Sequence, residues 1–222
     1  MKKTIFFAKH IPANIFLATL YMFVIFFLTS CKKDPHTLIV ALTHPPFHIE
    51  NAKLQFPTEQ SELLWNNRGH IPIMAPDGHQ VTFGEFNKVS GYAEVSCHPQ
   101  GTKITVRVKD LIPNGTYSIW LLTFKDPGFD GTFVNQIGFG AAGLADGSTN
   151  VVKASSHGTA EITTITPGGP LSIFGSVGDC LLSEFEVHIA AAFHLDNLSH
   201  GAVPGPPGTW VAQAAFPFKG NP

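Results

Sequence analysis

Charge is scarce in this chain. Only 14% of its 222 residues are Asp, Glu, Lys or Arg, and the net charge is −2, where an average soluble domain carries about a quarter charged residues. That excludes sustained charged heptads, and with them a coiled coil. It also removes the clustered Lys and Arg that nucleic acid requires, so no nucleic-acid partner is expected. Cysteine is scarce too, at 3 residues. No C-x-x-C and no H-E-x-x-H occurs, so the compact zinc spacings are missing. The absence of G-x-S-x-G removes one common serine-nucleophile signature. The 21 Gly and 17 Pro follow no three-residue period, which excludes a collagen helix. No internal repeat is visible. What the chain does have is apolar residues, at 44%, enough to argue against disorder for its bulk.

Acids are absent before Asp34. Lys2, Lys3 and Lys9 form a positive start, and an apolar run extends from Ile15 to Leu28. This is the pattern of a secretory signal peptide. The run ends in Leu28-Thr29-Ser30-Cys31, which resembles a bacterial lipobox. The resemblance implies a leader over residues 1–30, lipidation of Cys31 and a short tether over 31–36. Acyl chains anchor by burying CH₂ groups, each worth ~0.8 kcal/mol. The alternative is an ordinary signal anchor with a chance cysteine, because a run of this length can nearly span a bilayer. On the lipobox reading the membrane is a partner through the anchor. The protein is then expected in a bacterial cell envelope, at the outer membrane, and Lys33-Asp34 looks like a surface-export signal. Losing the leader removes three lysines and no acid, so the mature body is mildly acidic.

With Cys31 lipidated, Cys97 and Cys180 remain. An even pair in an oxidising compartment most often forms a disulfide. Two free buried thiols, or a nucleophilic Cys97 beside His98, are the alternatives. Neighbours on a strand point to opposite faces, so His98 is poorly placed as a base.

Residues 37–90 read as an irregular segment, punctuated by Pro45, Pro46, Pro57, Pro72 and Pro76. Thr58 to Asn67 is a candidate helix, and Thr82 with Glu85 has capping-box spacing. From Gly91 the period becomes two. Lys103 to Lys109 alternates polar and apolar, as a strand with one wet face does. Leu111 to Thr116 is turn chemistry, followed by a buried strand from Tyr117 to Phe124; in β-sandwiches such a tyrosine ties a corner by its hydroxyl. Further strands are expected at Asn150–Ser155, Thr159–Thr166, Leu171–Phe174 and Thr209–Phe218. The clearest is Glu184 to Leu195. Its odd positions are all apolar and point to a core, while its even positions, Glu184, Glu186, His188, Ala190, Ala192 and His194, predict a solvated face. The expected fold is all-β: a single β-sandwich, Ig-like or jelly-roll, over residues 91–222, with the 37–90 segment packed on it.

Cys97, Leu111 to Trp120, Gly169-Pro-Leu-Ser172, Cys180, Glu186-Val-His188, His194-Leu-Asp196 and His200-Gly201 together resemble a group of secreted microbial β-domain proteins. The resemblance covers about residues 80–220. It implies one extracytoplasmic domain and carries over no activity and no functional residue.

Eleven histidines are the unusual chemical resource. Imidazole and carboxylate suit zinc, copper or iron. His188 and His194 share a strand face but lie ~20 Å apart at ~3.3 Å per residue, too far to share one ion. Glu186 and His188 are near enough to hold a ligand between them. His194, Asp196 and His200 form a better trio if the chain turns through Asn197-Leu198-Ser199, with a transition metal as cofactor. Solvated histidines on a wet face are the competing reading. His44 and His48 flank two prolines and read as a loop. Gly138-Phe-Gly-Ala-Ala-Gly143 matches G-x-G-x-x-G, but turn residues follow it where a dinucleotide site needs a helix, so it reads as a loop. Ser155-Ser-His157 is sequence adjacency, which does not build a triad. Trp120 reads as core. Trp210, at the end of a stiff Pro/Gly loop, is a candidate binding aromatic, as at a glycan or envelope-protein surface. The expected function is therefore a binding module on His188, His194, Asp196, His200 and Trp210, with no strong sign of an enzyme. The alternative is a metal-binding protein or metalloenzyme with a mononuclear site at His194, Asp196 and His200.

Overall fold

The computed structural model describes residues 37–41, 63–66 and 71–220. In chain order the strands are β1 (Thr37–Ala41), β2 (Trp65–Asn66), β3 (Ile71–Pro72), β4 (Ser90–His98), β5 (Gly101–Lys109), β6 (Thr116–Phe124) and β7 (Gln136–Ala141). They continue with β8 (Val151–Lys153), β9 (Ala160–Thr166), β10 (Gly169–Pro170), β11 (Ser176–Val177), β12 (Glu186–His194) and β13 (Trp210–Lys219). A short helix, α1 (Phe83–Asn87), precedes β4. Two antiparallel sheets dominate. The first has the order β1-β4-β5-β9, the second β13-β12-β6-β7 with β8 also on β6. The fold is an all-β sandwich.

Alternation along the strands explains the layers. The first sheet turns Val95, Ile104 and Val106 inward. The second answers with Ile119, Leu121, Ile189, Phe193 and Phe216, and all of these are buried in one cluster. Lys103 and Lys109 stay exposed on the far side of β5. Tyr117 closes a corner: its hydroxyl accepts from the Ile112 N–H at 2.8 Å and donates to Gln213. Cys97 and Cys180 are joined by a disulfide that closes a separation of 83 residues. It ties the first sheet to the segment that leads into β12. Such a loop constrains the unfolded chain by ~4 kcal/mol in the entropy model. Thr82 and Glu85 form the reciprocal capping box at the start of α1.

Several expectations need correction. Thr37–Ala41 is not irregular: it adds an edge strand, pairing residue by residue with Tyr92–Ser96. A Thr-Leu-Ile-Val-Ala run has the β-branched composition for this. The helix expected over Thr58–Asn67 is absent where the structure describes it. Leu63 bridges Thr82 and Trp65–Asn66 pairs with Ile71–Pro72, so tertiary pairing overrides local propensity. Residues 58–62 lie outside the described residues, as do the leader, Cys31, the tether, His44 and His48. No continuous strand covers Leu171–Phe174; β10 and β11 flank it, and Phe174 makes a single bridge to Phe139. Gly138–Ala141 is strand β7 rather than a loop, which also removes the strand-to-helix context of a dinucleotide fingerprint.

Candidate functional site

The main correction concerns β12. All nine of its residues are buried, including the even face expected to be wet. Its neighbours explain why. Across the ladder from Ala190 lies Trp120, and across from His194 lies Trp210. The small side chains of Ala190, Ala192 and Ala212 leave room for the two indoles, and together with Leu122, Phe124 and Ala141 they form a second apolar cluster on the outer face of the second sheet. Trp210 is only 7% exposed. It fills this cluster and is not a surface aromatic. The polar residues of β12 stand at the two ends of the covered strip.

One end is built by a turn. Directly after His194 the chain reverses: the Asn197 N–H donates to the His194 carbonyl at 3.1 Å. Asn197 adopts φ +59°, a left-handed conformation that Asn tolerates better than most residues. Its side-chain oxygen accepts from the N–H of Thr116 at 3.1 Å and from its hydroxyl at 2.7 Å, which fastens the turn to the start of β6. The reversal carries Asp196 and His200 back over the strand end. His200 Nε2 lies 2.8 Å from Asp196 Oδ2. The His194 and His200 rings are 5.7 Å apart. Gly205 is packed against the His200 ring at φ +101°, where a Cβ would strike that ring. One ligand atom from each of His194, Asp196 and His200 lies within 4.8 Å of the others, with the three running from buried through exposed to half-buried.

His194 is the most constrained of the three, at 1% exposed. Its Nε2 lies 2.6 Å from Ser118 Oγ, and Ser118 Oγ in turn accepts from the Trp120 indole N–H at 2.6 Å. Its Nδ1 is buried and has no hydrogen-bond partner. Burial pushes His194 down to about 4, helped by His200 and opposed by Asp196. It is therefore neutral at pH 7, which is the form that ligates metals.

At the other end Glu186 and His188 need no ligand between them. His188 Nε2 lies 2.6 Å from Glu186 Oε1, and the same oxygen accepts from the Phe129 N–H at 3.1 Å. Glu186 is thus buried rather than a solvated strand end. The loop between β6 and β7 lays Phe129 over this pair and packs Phe129 and Phe133 on Phe124.

Elsewhere, a groove of about 610 Å³ runs past Tyr92, Arg107 and Glu161 on the first sheet. Its guanidinium is already occupied, at 2.9 Å from both the Tyr92 hydroxyl and Glu161.

No protein-family model matches the chain, and no curated protein or solved structure matches it.

Of the residues singled out from sequence, His194, Asp196 and His200 come together, His188 belongs to a separate pair, and Trp210 is packing. Trp120 is core, as its strand implies; the parts played by Ser118 and Phe129 have no counterpart in the sequence reading. The one available signal was the alternating Ala at 190 and 192, which implies large partners on neighbouring strands.

Proposed function

We propose that the protein is a lipid-anchored binding module of a bacterial cell envelope whose functional centre is a mononuclear transition-metal site at His194, Asp196 and His200. The observation that carries the reading is the unpartnered, buried Nδ1 of His194. A buried nitrogen without a partner costs ~1–3 kcal/mol, and a metal bond at that atom removes the cost. Ser118 fits the same picture from the opposite side of the ring. It is placed to accept the Nε2–H, in the way outer-sphere partners fix the tautomer of a ligating histidine.

Two imidazoles and a carboxylate suit zinc, and copper, iron or nickel among its competitors. Three protein ligands leave a fourth position for an exogenous ligand. When bound, the ion supplies Lewis acidity at that position. The residues themselves orient it: the Asn197 turn sets Asp196, Gly205 seats His200, and Ser118 fixes His194.

Elemental analysis of the full chain after zinc loading tests the site. About one equivalent is expected, falling below a tenth in His200→Ala while the far-ultraviolet spectrum is unchanged. A folded, metal-free wild type contradicts it. The lipid anchor rests on the leader and on Leu28-Thr29-Ser30-Cys31. Cys31→Ser is expected to block lipid labelling and leader removal; normal processing in that variant contradicts the anchor.

A further inference from the structure

A second site lies at the opposite end of β12. We propose that the pocket over Glu186 and His188 binds a small organic ammonium ion, with Glu186 as counter-charge and Phe129 as aromatic wall. The pocket holds about 380 Å³ and is lined by Phe129, Glu186, His188, Pro217, Phe218 and Lys219. That is a volume suited to a small molecule.

Glu186 is 7% exposed, at the end of a strip whose middle is covered by apolar side chains. Its Oε1 lies within hydrogen-bond reach of both the Phe129 N–H and His188 Nε2, and Oε2 is left facing Gly128. Buried charges are normally paired, because removing an ion from water costs several kcal/mol. Here the obvious partner is turned elsewhere. Lys219 sits directly across the ladder from Glu186, yet its ammonium lies over the Phe185 ring, 5.4 Å from the centroid. No Lys or Arg among the described residues forms an ion pair with Glu186. Burial holds His188 below the usual imidazole range, against the pull of Glu186, which favours a neutral N–H donor in their 2.6 Å contact. The carboxylate is therefore answered by N–H groups alone.

The surroundings are those that recognise a cation carrying apolar substituents. Phe129 is edge-on to His188, with centroids 5.3 Å apart, and Phe124 lies 4.9 Å from the same ring. Phe129 and Pro217 give the pocket its apolar walls, while Phe218 borders it from a strand position whose side chain packs in the core. An ammonium ion gains from the carboxylate and from an aromatic face together. Gly128 makes room for the carboxylate: it sits at φ +95°, and a Cβ there would collide with Glu186 Oε2. This site is independent of the metal centre, ~20 Å away along the strand.

The test is a nuclear magnetic resonance titration of the full chain in detergent with butylammonium, with 1-butanol as the uncharged control and methyl glucoside as the sugar control. Butylammonium is expected to saturate shifts at Gly128, Phe129 and Phe218, at least about tenfold tighter than butanol, the size of one charge-assisted contact. That preference should vanish in Glu186→Gln and persist in His200→Ala, which keeps the outcome separate from the metal reading. If Glu186→Gln does not fold, Phe129→Leu keeps the packing and removes the aromatic face; several-fold weaker butylammonium binding is then expected. Equal binding of butanol and butylammonium, tighter binding of methyl glucoside, no saturable binding, or an unchanged preference in the variants would each overturn the proposal.

Discussion

The two faces of the second sheet are both dry, but they are dry in different ways. The inner face is an apolar layer broken by the corner hydroxyl of Tyr117, with Ile119, Leu121, Ile189, Phe193 and Phe216 packed against the first sheet. The outer face is apolar only in its middle, where Trp120 and Trp210 lie over small alanines. Its ends are closed by polar clusters, Glu186 with His188 at one and His194 with Asp196 and His200 at the other. The inner face is held by apolar burial, which does not titrate. The outer face holds buried imidazoles, so its stability depends on protons. Function is expected where burial and ionisable chemistry coincide.

The comparison can be broken most heavily from the inner side. Phe193→Ala is expected to cost about 3–5 kcal/mol in urea unfolding, and the loss should be nearly the same at pH 5 and pH 8. A strongly pH-dependent loss would mean that the two faces are not separable.

A slightly smaller effect sharpens the outer side. His194 is held at about 4 against an ordinary 6.5. Below pH 6.5 the unfolded chain takes a proton that the folded chain refuses. The stabilisation is therefore complete above pH 6.5 and is lost as pH falls toward 4, by ~3 kcal/mol in the metal-free protein. His188, lowered in the same direction by burial, adds to this. His194→Gln should flatten the stability curve between these limits; an unchanged slope would show that His194 takes up no proton on unfolding.

The smallest effect lies where the inner face carries its own polar group. Tyr117→Phe removes the acceptor of the Ile112 N–H and the donor to Gln213. The expected cost is ~1–3 kcal/mol, with no change in metal or ammonium binding. A change in either would tie the corner to the outer face.

The inner face was legible in sequence because one strand at a time suffices to see it. The odd positions of Glu184–Leu195 are apolar without exception, and so are the alternate positions of Lys103–Lys109. The corner tyrosine and the capping box are local patterns, and the cysteine pair follows from counting. The outer face was not legible. Glu186, His188 and His194 look solvated until the strands beside them are known. What covers them comes from Trp120, Phe129, Trp210 and the turn at Asn197, which lie on β6, on the β6–β7 loop, on β13 and beyond the strand end. The trio of His194, Asp196 and His200 was readable because only one reversal separates its members. The Glu186 pocket was not, because its walls come from three distant segments.

The most direct test of the metal account is ¹⁵N imidazole spectroscopy of the full chain during zinc titration. The account predicts that the His194 Nδ1 resonance shifts and saturates at about one equivalent, while Nε2 keeps the signature of a nitrogen bonded to Ser118. An Nδ1 resonance unmoved at saturating zinc, or shifts confined to other histidines such as His79 and His157, would contradict it.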